Sequence, residues 1–196
     1  MRVGLCIPVY NGGACWNESL VALKESFSLF TRRLVVDSGS SDDSLRQAEN
    51  AGFETVKIHS TEFNHGATRQ WMFEHISPDV DVVVFATQDA ILTSPDAMVA
   101  LLSAFDDNKV GAAYARQLPH HKAGIIGEHA RLFNYPATSR LNSISDTKRL
   151  GIKAAFISNS CAAYRVEALM AVGGFPNNVI IGEDTYVAAK MLLTGW

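Results

Sequence analysis

The chain has 196 residues, of which 47% are hydrophobic and 19% are charged, a composition typical of one soluble globular domain. Its formal net charge of −3 argues against a nucleic-acid partner, because binding to phosphates requires an excess of basic residues. No apolar run reaches the roughly 18 residues of a membrane span, and no signal peptide is recognised before the first apolar run. We therefore expect a cytoplasmic protein.

Strand-like and helix-like segments alternate from the first residues onward. Short apolar runs predict strands at 3–9, 34–36, 54–59, 82–86, 110–115 and 154–157. Apolar residues at helical spacing predict helices at 17–30, 66–76, 166–172 and 183–193, and further helices after Asp42-Asp43 and Ser94-Pro95. This alternation predicts an α/β fold with a mostly parallel central sheet and helices on both faces.

A basic segment interrupts the alternation. From Arg116 to Lys153 there are seven of the 17 Lys and Arg residues, but only two of the 20 acidic residues. A break as long as 117–151, with only a short helix near 125–133, is typical of a functional loop or lid. Three interpretations remain open for this segment: a solvated loop, a cover over an anionic substrate, and a contact with an anionic membrane surface.

Polar residues follow the predicted strands. In open α/β sheets, ligands bind at the carboxyl ends of the strands, so these side chains are expected to meet at one edge. They are Pro8, Tyr10, Asn11, Asp37, Asn64, His65, Gly66, Arg69, Thr87, Gln88, Asp89, Ser158, Asn159 and Ser160.

Asp37 ends the second predicted strand and has two interpretations. Its carboxylate could cap the turn that follows, or it could accept a hydrogen bond from the N3–H of uracil or thymine, a donor that cytosine lacks. The first strand is followed neither by Gly-x-Gly-x-x-Gly nor by a phosphate-binding loop with lysine, which argues against a dinucleotide or P-loop site.

Two further acidic sites follow apolar runs. A single carboxylate at Asp89 suits a divalent cation, Mg²⁺ or Mn²⁺, that is shared with a diphosphate, although a loop aspartate can also cap a turn. Glu183 and Asp184 open the last predicted helix after Gly182. They could be favourable acids at a helix N-terminus, or one of them could remove a proton from an incoming hydroxyl.

Several motifs, taken in order, resemble those of family 2 glycosyltransferases over essentially the whole chain. The stretch 63–70 followed by 87–90 is similar to the rhamnosyltransferase branch. The matching motifs are Ile7-Pro8-Val9-Tyr10-Asn11, 35–42, Thr87-Gln88-Asp89-Ala90, Gly173-Gly174-Phe175 and Gly182-Glu183-Asp184. The resemblance implies the GT-A fold, a nucleotide-binding α/β sheet, with 1–196 as a single catalytic domain that is truncated at its C-terminus.

The resemblance also implies roles for individual residues. Asp89 would bind the metal alone, because Thr87 replaces the first acid of the family's Asp-x-Asp motif. Asp184 would be the general base, with Glu183 as the other candidate. Asp37 would read the base, and the remaining nucleotide-site residues would be Pro8, Tyr10, Asn11, His65, Gly66, Arg69 and Gln88.

The implied reaction is transfer of L-rhamnose from dTDP-rhamnose, or of a sugar from a UDP-sugar, with inversion. The acceptor would be a hydroxyl of a saccharide or lipid-linked saccharide in cell-surface polysaccharide synthesis, at the inner face of the membrane. One alternative is a sugar-nucleotide nucleotidyltransferase, although 11–14 lacks the basic residues which that class needs. The other is a non-catalytic sugar-nucleotide-binding module, which the presence of Asp89 and Asp184 disfavours.

Overall fold

The computed structural model describes residues 1–120, 123–179 and 181–196, so His121, Lys122 and Ile180 lie outside the described residues. The strands are β1 (Val3–Val9), β2 (Arg32–Asp37), β3 (Glu54–Lys57), β4 (Val82–Ala86), β5 (Ala112–Tyr114) and β6 (Cys161–Arg165). The α-helices are α1 (Gly13–Lys24), α2 (Ser44–Asn50), α3 (His65–Ile76), α4 (Asp96–Ser103), α5 (Ile125–Asn134), α6 (Thr147–Leu150), α7 (Val166–Ala171) and α8 (Glu183–Leu193).

The strands form one sheet in the order β3-β2-β1-β4-β6-β5. Strands β3, β2, β1 and β4 are parallel, whereas β6 is antiparallel to both β4 and β5. Strand β5 therefore has the same direction as β4, and β6 alone among these strands is reversed. The mostly parallel sheet predicted from the sequence is confirmed.

Both faces of the sheet are covered by helices, as predicted. Successive side chains of a strand point to opposite faces, and β1 shows this directly. Leu5 and Ile7 pack in the core with residues of α1, α2 and α4. Cys6 packs in the second core with residues of α3, α7 and α8. The fold is a three-layer α/β/α arrangement whose carboxyl edge is left open by the helices.

The predicted strand at 154–157 is wrong. A 3-10 helix covers Gly151–Ala155, and the strand lies later, at Cys161–Arg165. Both stretches are rich in small and apolar residues, so composition does not separate them. Pairing decides between them, because β6 aligns with all of β4, from Ala86↔Cys161 to Val82↔Arg165. The helix predicted at 17–30 also begins earlier, at Gly13, and ends at Lys24.

The basic segment is largely helical. It contains α5, α6 and 3-10 helices at Ile144–Asp146 and Gly151–Ala155. Tyr135, just after α5, is buried and packs edge-on against Tyr114 and Phe156, with ring centroids 6.1 and 5.5 Å away. Arg116 donates a hydrogen bond of 3.1 Å to the Tyr135 carbonyl. Across the residues that the structure describes, no helix is long and apolar enough to cross a membrane.

Candidate active site

The loop after β1 is fastened to the loop after β4 by Gln88. The Gln88 side chain accepts a hydrogen bond of 2.7 Å from the Tyr10 N–H and donates one of 3.1 Å to the Tyr10 carbonyl. Both ends of the amide are thereby engaged with the backbone. Gln88, predicted from the sequence to bind the nucleotide, is placed to hold Tyr10, whose own side chain is exposed.

Asn11 fastens the same loop to the one after β2. Its φ of 45° is in the left-handed region, which asparagine tolerates better than most residues. The Asn11 N–H donates to Ser40 Oγ at 2.9 Å, and Asn11 Oδ1 accepts from the Ser41 N–H at 2.8 Å. Asp42 Oδ2 accepts from the Gly13 N–H at 3.0 Å. Hydrogen bonding, above all from Ser44, lowers the pKa of Asp42 and keeps that acceptor ionised.

Asp37 is fully buried at the end of β2, and its two carboxylate oxygens differ in their hydrogen bonding. Its Oδ1 accepts hydrogen bonds of 3.0 Å from the Gly39 and Ser40 N–H groups, and so caps the turn. Its Oδ2 is buried and has no hydrogen-bond partner among the described residues. A buried carboxylate oxygen without a donor is costly. The turn-capping interpretation is therefore correct for one oxygen, while the other has no donor among the described residues.

A pocket of about 400 Å³ opens at the carboxyl edge of the sheet. Its polar lining comes from the start of α3, the end of β4, the loop before β6 and the start of α8, and it includes His65, Arg69, Thr87, Asn159 and Asp184. The basic segment and the residues that follow it supply an apolar wall with Tyr135, Phe156 and Ile157. One residue of the basic segment, Tyr135, thus lines the pocket.

A buried ion pair lies in this pocket. Arg69 Nη1 is 3.0 Å from Glu183 Oε1, and the two side chains are only 4% and 7% exposed. The same Arg69 nitrogen donates to the His65 carbonyl at 3.1 Å. Asn159 Nδ2 donates to Glu183 Oε1 at 3.2 Å. Glu183 is therefore engaged within the protein, which leaves Asp184 as the better-placed carboxylate for chemistry.

Tyr164 fixes the orientation of Asn159. The Tyr164 hydroxyl donates a hydrogen bond of 2.8 Å to Asn159 Oδ1. Burial raises the pKa of Tyr164 well above its ordinary value, and the nearby Asp184 charge adds to this effect. The hydroxyl therefore stays protonated and acts as a donor at every physiological pH. With its oxygen engaged by Tyr164, the Asn159 amide must point its NH₂ group at Glu183.

Asp184 faces the pocket from the first turn of α8. Its Oδ2 accepts a hydrogen bond of 3.3 Å from the Asn159 N–H, and its Oδ1 accepts one of 2.7 Å from the Thr185 N–H. The residue is partly exposed. The carboxylate is therefore held in a defined place by backbone donors while still in contact with the pocket.

Asp89 lies two residues after Thr87, a residue of the pocket lining, and is exposed. It makes no hydrogen bond or ion pair with the part of the chain that the structure describes. Nor do the described ranges contain three His, Cys, Asp or Glu side chains grouped to hold a metal. Any cation here would rest on one protein carboxylate and on oxygens of a bound substrate.

Gly66 and Pro8 have local packing roles. A Cβ on Gly66 would lie 1.8 Å from the Pro176 carbonyl oxygen, so glycine is required where the segment after α7 crosses the first turn of α3. Pro8 pairs with Val36 inside β1, beyond the part of β1 that pairs with β4. Its missing N–H therefore leaves the β1–β4 pairing intact.

Three aromatic residues of the site, Tyr135, Phe156 and Tyr164, were not predicted from the sequence. Their side chains carry no signal of function, because in a sequence they are indistinguishable from core residues. Asn159 was named at the end of a predicted strand. The structure places it before β6, and it still lies at the carboxyl edge because β6 is reversed.

The sequence profile described as "Glycosyl transferase family 2" matches residues 5–173. The O-antigen chain rhamnosyltransferase WbaN of Salmonella anatum is 42% identical over 193 residues, which cover 98% of this chain and 61% of that protein. The O-antigen chain rhamnosyltransferase RfbN of Salmonella typhimurium is 41% identical over 197 residues, with 100% and 62% covered. The chain thus spans about three fifths of the length of these curated relatives.

Solved structures show the same fold at lower identity. The mannosyltransferase PcManGT from Pyrobaculum calidifontis, in complex with GDP-Man and Mn²⁺, matches with a TM-score of 0.73 and 20% identity, covering 100% of this chain and 53% of that one. S. aureus TarS 1–349 in complex with UDP-GlcNAc matches with a TM-score of 0.72 and 16% identity, covering 98% and 54%. These likenesses confirm the GT-A-type α/β sheet.

Removing one member of the buried ion pair should destabilise the protein strongly. We expect Arg69→Met to lower the free energy of unfolding by about 3–5 kcal/mol, because it leaves Glu183 buried and uncompensated. Adding Glu183→Gln to that variant should recover part of the loss. Urea denaturation followed by circular dichroism measures both changes.

The matched control is Arg2→Met, which breaks an ion pair with Asp81 whose side chains are 57% and 48% exposed. Solvent screens an exposed pair, which contributes little to stability, so this variant should unfold nearly as the wild type does. Similar losses in Arg69→Met and Arg2→Met would contradict the structural role of the buried pair.

Proposed function

Because the chain belongs to glycosyltransferase family 2, we propose that it transfers a sugar, with inversion, from a nucleotide-sugar donor to a hydroxyl of a saccharide acceptor. The observation that carries the proposal is the position of Asp184. Its carboxylate is held by the Asn159 and Thr185 N–H groups and lines a pocket at the carboxyl edge of the sheet.

L-rhamnose from dTDP-rhamnose is the donor that we propose, and a growing cell-surface polysaccharide is the acceptor. Both Salmonella relatives are named O-antigen chain rhamnosyltransferases, which supports this choice. The free Oδ2 of Asp37 suits the N3–H of thymine or uracil. An exposed aromatic ring at Tyr10, fixed through its backbone by Gln88, suits stacking on the base.

In the proposed reaction, Asp184 takes the proton of the acceptor hydroxyl as the oxygen attacks the anomeric carbon. The bond from that carbon to the nucleotide diphosphate breaks on the opposite face, so the configuration inverts. General-base assistance of this kind contributes about 10²–10⁴ in rate. The two backbone donors to Asp184 hold its oxygens in place, so little reorganisation is needed when the acceptor arrives.

Asp89 fits a divalent cation that is shared with the substrate. Mg²⁺ and Mn²⁺ prefer oxygen ligands, and Mg²⁺ typically takes one or two carboxylates together with substrate phosphates. The exposed Asp89 carboxylate, unpaired within the described ranges, meets that requirement. When bound there, such a cation would neutralise the negative charge of the departing diphosphate. The PcManGT complex, which holds Mn²⁺ together with GDP-Man, supports this proposal.

The function is tested with a panel of dTDP-, UDP-, GDP- and CDP-sugars, each offered with an oligosaccharide acceptor, with transfer followed by mass spectrometry. We expect transfer from dTDP-rhamnose, and Asp184→Asn should lower its kcat by about 10²-fold or more while leaving the donor Kd nearly unchanged. Asp96→Asn is the control, since Asp96 is also an exposed acid in the first turn of a helix.

Three outcomes would contradict this proposal. If Asp184→Asn weakened donor binding and left kcat unchanged, Asp184 would be a binding residue. Formation of a sugar nucleotide from a sugar phosphate and a nucleoside triphosphate, without glycosyl transfer, would identify a nucleotidyltransferase. Binding of the donor without either reaction would indicate a binding module.

Removing the proposed metal ligand should abolish the effect of metal on nucleotide binding. Asp89→Ala should bind dTDP equally well with Mn²⁺ and with EDTA, because Thr87 offers no second carboxylate. Calorimetric titration measures the dTDP affinity of the wild type and of each variant, with Mn²⁺ and with EDTA. Asp106→Ala, a change at another exposed aspartate, should retain the metal effect. A wild-type protein that binds dTDP identically in both conditions would disprove the assignment of Asp89.

Asp37→Asn should change the base preference. The amide oxygen can still accept from Gly39 and Ser40, but an NH₂ group replaces the free Oδ2 and faces the N3–H of thymine. We expect dTDP and UDP to bind about 1.5–3 kcal/mol more weakly, whereas CDP, whose N3 is an acceptor, should bind as well or better. Fluorescence titration measures the three affinities. An equal loss for all three bases would show that Asp37 only stabilises the turn.

A further inference from the structure

Helix α5 exposes four large apolar side chains, those of Ile125, Ile126, Leu132 and Phe133. Ile125 and Ile126 are each 87% exposed and Phe133 is 65% exposed, and no residue of the helix is buried. Elsewhere in the fold, the longer helices α1, α3, α4 and α8 each bury residues in the core. Helix α5 is therefore an amphipathic helix without a partner among the described residues.

The spacing of the apolar residues defines this face. Ile125 and Leu132 lie seven residues apart, as do Ile126 and Phe133. The two members of each pair are therefore about two helical turns apart on the same side of the helix. His129 lies between the two pairs and stacks on the Phe133 ring, whereas Arg131 lies on the other side of the helix. The apolar face of an amphipathic helix typically packs against an apolar environment.

A basic side chain of the 3-10 helix at Gly151–Ala155 lies against this face, because the Lys153 ammonium is 4.6 Å from the centroid of the Phe133 ring. The α5 surface comprises Ile125, Ile126, Leu132 and Phe133. Exposed apolar groups gathered in this way mark an interaction site more strongly than scattered ones do.

The segment that contains the α5 surface is mainly basic in sequence, although the chain as a whole has a net charge of −3. Between Arg116 and Lys153, seven basic residues accompany two acidic ones. One of those acids, Asp146, is paired with Arg149 at 3.3 Å. An apolar face beside basic side chains complements the acyl chains and anionic headgroups at a bilayer interface.

We propose that the α5 surface binds an anionic lipid bilayer, with its apolar side chains in the interfacial region and the basic residues at the headgroups. This inference goes beyond the proposed sugar transfer and does not depend on it. Tyr135, two residues after Phe133, lines the pocket. Membrane contact would therefore bring the apolar wall of the pocket close to the bilayer, where a lipid-linked acceptor would be found.

The test is sedimentation of the protein with vesicles of phosphatidylcholine alone or with about 30% phosphatidylglycerol. We expect binding only to the anionic vesicles. The pair Ile125→Ser and Ile126→Ser should weaken that binding by about tenfold or more. The pair Arg140→Gln and Lys148→Gln should weaken it by a similar factor and reduce its salt dependence.

The matched control is Val21→Ser with Val99→Ser, which removes two exposed apolar side chains from other helices and should leave vesicle binding unchanged. All variants alter exposed residues, so circular dichroism should show the wild-type fold. Equal binding to neutral vesicles, or anionic binding that the isoleucine pair does not affect, would overturn the proposal. So would a dimer that dissociates in the isoleucine variant while the wild type fails to bind vesicles.

Discussion

The ion pair between Arg69 and Glu183 is buried, and each charge is stable there only in the presence of the other. It joins the middle of α3 to the first residue of α8, and Asn159 joins the same glutamate from the loop before β6. Arg69 lies 114 residues before Glu183 in the chain, so distant segments meet at one carboxylate. Asp184 is the next residue, so the position of the proposed base depends on this contact.

The reversal of β6 makes that meeting possible. A strand parallel to β4 would place its first residues at the opposite edge of the sheet, far from the loops that follow β1, β2 and β4. Because β6 is antiparallel, Cys161 pairs with Ala86 at the end of β4, and Asn159 lies at the functional edge. Tyr164, three residues after Cys161, packs against Phe85 and Phe175 and donates back to Asn159. One reversed strand therefore serves the core and the site together.

The two halves of the candidate site are stabilised differently. The loops after β1, β2 and β4 are fastened by side chains bonded to backbone, with Gln88 on Tyr10 and Asn11 on Ser41. The wall of the pocket is instead apolar, and Tyr135 is held there by packing against aromatic rings. Hydrogen bonds fix the direction of the loops, which suits the proposed binding of a base and diphosphate.

The sequence by itself determined the α/β class, five of the six strands and the edge at which the site lies, because buried strands and amphipathic helices follow hydrophobic periodicity. It also placed Asp37, Asp89 and Asp184 at that edge. The tertiary structure decided where the sixth strand lies, since pairing with β4 selects Cys161–Arg165 over an equally apolar neighbour. It likewise separated Glu183 from Asp184. Adjacent acids look alike in a sequence, and a partner 114 residues away, Arg69, determines which of them is buried.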